Sequence, residues 1–153
     1  MAYDIGPLDN GGNLGVQRLL GLAAYLENVP DGDYDHRIWR RRRGDGSWAM
    51  CALGHGVTAL PDLIGLRWRT PDSRDIVRLD GSGVTQDPLT LAAEVFELSH
   101  DDAARIFGMG LYTVGFYGPR GGFGVTPRTA AAAIREFAVA RMSSTPAPKT
   151  VAA

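Results

Sequence analysis

The sequence predicts a mainly α fold in a single domain: about five helices, with a small β-hairpin as a candidate addition. Three observations point there. Apolar residues recur at three- and four-residue spacing in several segments. Pairs that start helices, Asp87-Pro88 and Thr126-Pro127, stand where such segments begin. Glycine and proline punctuate the ends. With 153 residues, 44% of them hydrophobic and 22% charged, the chain can bury a core without disulfides or metals.

Residues 1–13 carry Gly6, Pro7, Asp9, Asn10, Gly11 and Gly12 and read as a flexible arm. The helical domain is read as 14–142. Its first helix runs from Leu14 to about Asn28, capped by Asn13, with Leu19, Leu22, Ala23 and Leu26 on one apolar face. Pro30 and Gly32 end it. Tyr34–Trp39 fits a short strand or an irregular segment. Arg40–Arg43 followed by Gly44-Asp45-Gly46 reads as an exposed turn. Ser47 then caps a second helix, Trp48 to Leu60, that buries Met50, Leu53, Val57 and Leu60. Gly54 and Gly56 inside that helix each cost about 1 kcal/mol against alanine and make sense where another element crosses closely.

Pro61 leaves the helix. Leu66 and Trp68 alternate with Arg67 and Arg69, the pattern of a short half-buried strand, with Ile76–Leu79 as its candidate partner. Asp87 caps a third helix striped by Leu91, Val95 and Leu98. Ser99 with Asp102 opens a fourth that stops at Phe107-Gly108. Residues 108–125 form a glycine-rich loop whose aromatics, Tyr112, Phe116, Tyr117 and Phe123, tack it to the body. The last helix starts at Pro127 and runs to about Met142, and 143–153 read as a disordered tail.

These landmarks together resemble a pattern. The Tyr34-Asp35…Trp39 segment is followed by Cys51-Ala52-Leu53-Gly54-His55, then by a Leu98-Ser99 boundary and an Asp102…Phe107-Gly108 helix. Tyr117-Gly118 and the helix led by Thr126-Pro127 complete it. The arrangement resembles a group of small bacterial and phage proteins with no assigned activity, over about residues 14–140. The resemblance implies a compact domain and a phage or mobile-element context, without a mechanism. The group's expected cysteine upstream of Cys51 is replaced here by Gly44 to Met50, so a paired-cysteine or metal role does not carry over.

Charge is balanced overall, with 16 basic and 17 acidic residues and a net charge of −1, which argues against a globally basic nucleic-acid coat. It is unevenly placed, because Arg37 to Arg78 holds nine arginines against Asp45, Asp62, Asp72 and Asp75. The single cysteine gives no internal disulfide. No signal peptide or membrane-length apolar run is expected, which makes a cytoplasmic location the default.

Candidate chemistry is sparse. Cys51 and His55, four apart on the expected second helix, offer a thiol–imidazole pair, against the plainer reading of a core thiol beside a packed histidine. Two ligands do not make a metal site, and neither a metal nor a cofactor is expected. Arg40, Arg41, Arg42 and Arg43, with Trp39 and Trp48 close by, form the best nucleic-acid signal. The alternative is a cluster paired with Asp31, Asp33, Asp35 or Asp45. Gly118 to Gly124 with Arg120 precedes a helix start and offers an anion cradle, without the strand and the Lys-Ser/Thr ending of a phosphate loop. The reading that results is a non-enzymatic accessory protein that binds a protein partner through the arginine turn and the glycine loop. Nucleic-acid binding through Arg40–Arg43 and thiol-dependent catalysis through Cys51 and His55 are its alternatives.

Overall fold

The computed structural model describes residues 13–108, 115–118 and 124–144. Among these residues there are six α-helices, a short 3-10 turn at Asp31–Asp33 and two antiparallel two-stranded sheets. The mainly α expectation holds, with one helix and one hairpin more than expected.

The first helix, α1 (Leu14–Leu26), starts where Asn13 accepts a hydrogen bond from the Val16 amide at 3.2 Å. Its expected apolar face is buried: Leu19, Leu22, Ala23 and Leu26 are 0% exposed. Removing leucines of this kind from water contributes about 1.5–3 kcal/mol each. The last helix, α6 (Pro127–Ser144), is the main partner of α1. It presents Ala130, Ala131 and Ala138 around Ile134, and the small alanines let the two axes approach closely. Thr126 caps it, its hydroxyl accepting from the Thr129 amide. It extends through Ser143 and Ser144, which the sequence assigned to the tail. The rest of that tail, the arm before Asn13 and most of the glycine-rich loop lie outside the described residues.

The segment read as turn plus helix is built differently. Arg40–Arg42 is a strand, β1, paired with β2 (Trp48–Met50) in the register Arg40↔Met50, Arg41↔Ala49, Arg42↔Trp48. Arg43 donates to the Ser47 carbonyl at 2.7 Å, which leaves Gly44-Asp45-Gly46 as a three-residue loop. Gly46 takes the left-handed φ of 86° that such a loop requires. Ser47 is therefore no helix cap; its amide and hydroxyl both donate to Asp45.

The second helix, α2 (Ala52–Ala59), starts at Cys51, four residues later than expected. Gly54 shows why glycine stands in it: a Cβ there would lie 2.0 Å from the Trp39 carbonyl oxygen, so the chain ahead of β1 crosses α2 in backbone contact. Pro61–Ile64 adds a single helical turn, α3, where the sequence suggested departure from helix. The second hairpin was expected: β3 (Leu66–Trp68) pairs with β4 (Ile76–Arg78). Asp87 caps α4 (Pro88–Val95) and Ser99 caps α5 (His100–Phe107), each accepting a backbone N–H. The core draws on α1 to α6, β3 and β4 in one contiguous cluster.

Candidate functional site

The arginine run divides between two faces because a strand alternates its side chains. Arg40 and Arg42 share one face with Trp48, and Arg41 points to the other. Arg40 is 5% exposed, which corrects its reading as part of an exposed turn. Its guanidinium carbon lies 4.4 Å from the Trp48 ring centroid and 4.0 Å from that of Trp68. Its donors go to the carbonyls of Thr70, Pro71 and Ser73, with Nε to Ser73 at 2.7 Å and Nη2 to Pro71 at 2.8 Å. Burial lowers its pKa. Arg40 is thus the joint between the two hairpins, and it fixes the loop that links β3 to β4.

The other arginines of the run stand outside this joint. Arg42 lies 5.0 Å from the Trp48 centroid and faces Asp72 at 3.7 Å. Arg41 faces Asp35 at 3.9 Å. Arg43 binds Asp33, the Gly32 carbonyl and the Ser47 hydroxyl. Arg37 also meets Asp35, at 3.0 Å, and its hydrogen bonds hold that carboxyl below the usual carboxylate range. Asp33 and Asp35 are therefore partners as the paired reading expected, and Asp72 joins from the other hairpin. Arg67 donates to the Leu79, Trp68 and Arg69 carbonyls within its own hairpin.

Trp39, half-buried, sits between two open grooves of about 190 and 290 Å³ that share it and Arg74. The smaller adds Arg37, Ile38 and Arg40; the larger adds Ile76, Val84 and Pro88, with Asp75 and Gln86 as its polar wall. Arg74 was no candidate in the sequence, and neither was Trp68. Arg74 is an ordinary loop arginine until Arg40 clamps the loop beneath it. Arg120 lies outside the described residues.

Cys51 and His55 do not form a reactive pair. Cys51 is the N-cap residue of α2: its sulfur accepts from the Gly54 amide at 3.5 Å, and the Trp39 carbonyl lies 4.0 Å away. The thiol is buried, which pushes its pKa up to about 12 despite the helix N-terminus. His55 Nε2 bonds the Asp33 carbonyl at 2.8 Å, and burial lowers its pKa. His55 stacks on Tyr34, with centroids 6.0 Å apart and planes 4° apart. The Tyr34 hydroxyl is 2.6 Å from His36 Nδ1, and His36 meets the Tyr117 ring edge-on at 4.6 Å. This Tyr34–His36–His55–Tyr117 cluster escaped the sequence reading, because its members come from three separate segments.

No family model, curated protein or solved structure matches the chain. Among the described residues no three or more His, Cys, Asp or Glu side chains are grouped to hold a metal ion, and no helix is long and apolar enough to cross a membrane.

Proposed function

We propose that this chain is a non-enzymatic binding protein that acts through contact with another protein, using the β1–β2 hairpin, which carries an exposed arginine on each side of β1. One observation carries the reading: β1 is anchored by Arg40 between two indoles, and it presents Arg41 and Arg42 with side chains 56% and 58% exposed. Arginine beside tryptophan on a rigid support is the composition of protein-interface hot spots. Each exposed arginine of β1 also faces a carboxylate of its own chain. A nucleic-acid surface gains its affinity from uncompensated cations that displace counterions, and this hairpin has few of those to offer. The buried, high-pKa Cys51 thiol weighs against a thiol-dependent enzyme.

The test is affinity capture from a bacterial lysate with the full chain and with an Arg41→Glu/Arg42→Glu variant that keeps Arg40, each with and without nuclease. The expected result is one stoichiometric protein, insensitive to nuclease and lost with the variant. Capture abolished by nuclease would replace this reading with nucleic-acid binding. Capture unchanged in the variant would remove the hairpin face from the account.

A further inference from the structure

We infer that the Trp39–Arg74 cleft beside the hairpin is a recognition site for an acidic linear peptide segment, one that sets a carboxylate next to an aliphatic side chain. The inference rests on the protein-binding reading above and assigns the chemistry of the partner.

The charge balance of the cleft comes first. Most arginines around the two hairpins have a carboxylate: Arg37 and Arg41 have Asp35, Arg42 has Asp72, Arg43 has Asp33, Arg69 has Asp75 and Arg78 has Glu94. Three arginines line the cleft beside Trp39; Arg37 is among the paired ones, and Arg40 and Arg74 differ. Arg40 hydrogen-bonds only carbonyls, and the one carboxylate acting on it through space, Asp72, is shared with Arg42. Arg74 is exposed and makes no hydrogen bond or ion pair among the described residues. The cleft therefore holds one guanidinium, that of Arg74, whose charge no ion pair of the described residues meets. A planar guanidinium free to donate a fork-shaped pair of bonds suits a carboxylate.

The walls supply the second half of the specificity. On one side of Arg74, Trp39 meets Ile38. On the other it meets Ile76, Val84 and Pro88, with Val84 48% exposed. An aliphatic side chain laid there covers apolar surface while its neighbouring carboxylate reaches Arg74. The grooves hold about 190 and 290 Å³. Open and joined at Trp39, they suit consecutive side chains of an extended segment.

A single-stranded nucleic acid fits less well. It wants successive stacking platforms, and here one indole is flanked by aliphatic residues. Arg40 is a positioning residue for this site: its bonds to Thr70, Pro71 and Ser73 hold the loop that carries Arg74.

The experiment is an NMR titration of the 15N-labelled full chain with a terminally blocked peptide of alternating glutamate and leucine. The same peptide with glutamine for glutamate, and an oligothymidylate, are titrated in parallel. The expected result is a saturable shift of the Trp39 indole N–H and the Arg74 Nε–H, with the Trp48 indole unmoved. Loss of one charge-assisted bond predicts at least about tenfold weaker binding for the glutamine peptide and for Arg74→Gln. Arg74 is exposed, so its variant should keep the native spectrum, and that spectrum is the folding control.

No saturable shift, equal binding of the glutamine peptide, an undiminished Arg74→Gln, or a response to oligothymidylate in place of the glutamate peptide would each overturn the inference. If lysate capture still depends on Arg41 and Arg42 while the glutamate peptide leaves Trp39 unmoved, the cleft assignment falls and the hairpin reading stands. If capture is nuclease-sensitive, the hairpin reading falls on its own evidence.

Discussion

Acidification from pH 7 to pH 5 should destabilise this protein through His36 well before its carboxylates titrate. His36 is 2% exposed, bonded through Nδ1 to the Tyr34 hydroxyl, and its Nε2 has no partner among the described residues. The groups around it are Tyr34, Tyr117 and Asp35, with His55 across the Tyr34 ring. Burial lowers its pKa to about 4, and the nearby Asp35 charge opposes this only in part. An unfolded histidine titrates near 6.5. Between these values the unfolded chain binds a proton that the native state refuses, so stability is complete above about pH 6.5 and falls as pH drops toward 4. The full span is worth about 3 kcal/mol, of which about 2 kcal/mol is lost between pH 7 and pH 5. His55, lowered for the same reason, adds in the same direction. Asp35, Asp45 and Asp80, all held below the ordinary carboxylate range, lose their contributions only at lower pH. The assay is urea denaturation at several pH values for the wild type and for His36→Gln. The variant should lower the slope of stability against pH by about 2 kcal/mol across that interval, whatever its stability at pH 7. A wild type that is flat from pH 7 to pH 5, or an equal slope in both proteins, would refute a neutral, buried His36.

Three further outcomes follow from the same packing. Arg40→Ala should cost about 3 kcal/mol in urea denaturation, because two indole faces and three carbonyls lose their partner together, and Arg40→Lys should recover little since an ammonium lacks the flat fork. A change below about 0.5 kcal/mol would mean that the two hairpins do not depend on this joint. Gly54→Ala should destabilise by about 2–3 kcal/mol instead of gaining the usual helix propensity, since its Cβ would meet the Trp39 carbonyl at 2.0 Å. Gly44→Ala, with open space around it, should be close to neutral in the same urea denaturation. Cys51 should resist iodoacetamide in the native chain at neutral pH and react once urea is added, because a pKa pushed up to about 12 leaves about a thousandfold less thiolate than an exposed cysteine has. Rapid native labelling would restore the catalytic alternative.

The helices were legible because their signals are local. Asn13, Asp87, Ser99 and Thr126 all cap where cap-forming side chains precede an apolar period. The β3–β4 hairpin showed through the alternation of Leu66 and Trp68 with arginine. The β1–β2 hairpin did not, for a specific reason. A strand is read from the contrast between neighbouring residues, and Arg40 to Arg42 offers none. Gly44-Asp45-Gly46 was seen as a turn, but with no visible strand before it, Trp48–Met50 passed for the first turn of the following helix. Cys51 hid that helix's true start, since cysteine is not among the residues expected to cap.

The same lack of contrast explains why the candidate site was only half visible. Four arginines identical in sequence hold different positions: Arg40 is a buried joint, Arg41 and Arg42 are opposite faces of a strand, and Arg43 closes a loop onto Asp33. What separates them is the partner each meets, and those partners, Trp68, Asp72, Ser73 and Asp33, stand up to 33 residues away. Arg74 shows the converse. Nothing in its neighbourhood of the sequence marks it, yet the loop that carries it is fixed by Arg40 and the cleft beside it is floored by Trp39. A reading that counts positive charge finds the run at Arg40–Arg43, where most of the charge is already matched. A reading that follows each donor to its acceptor finds the charge left over, at Arg74.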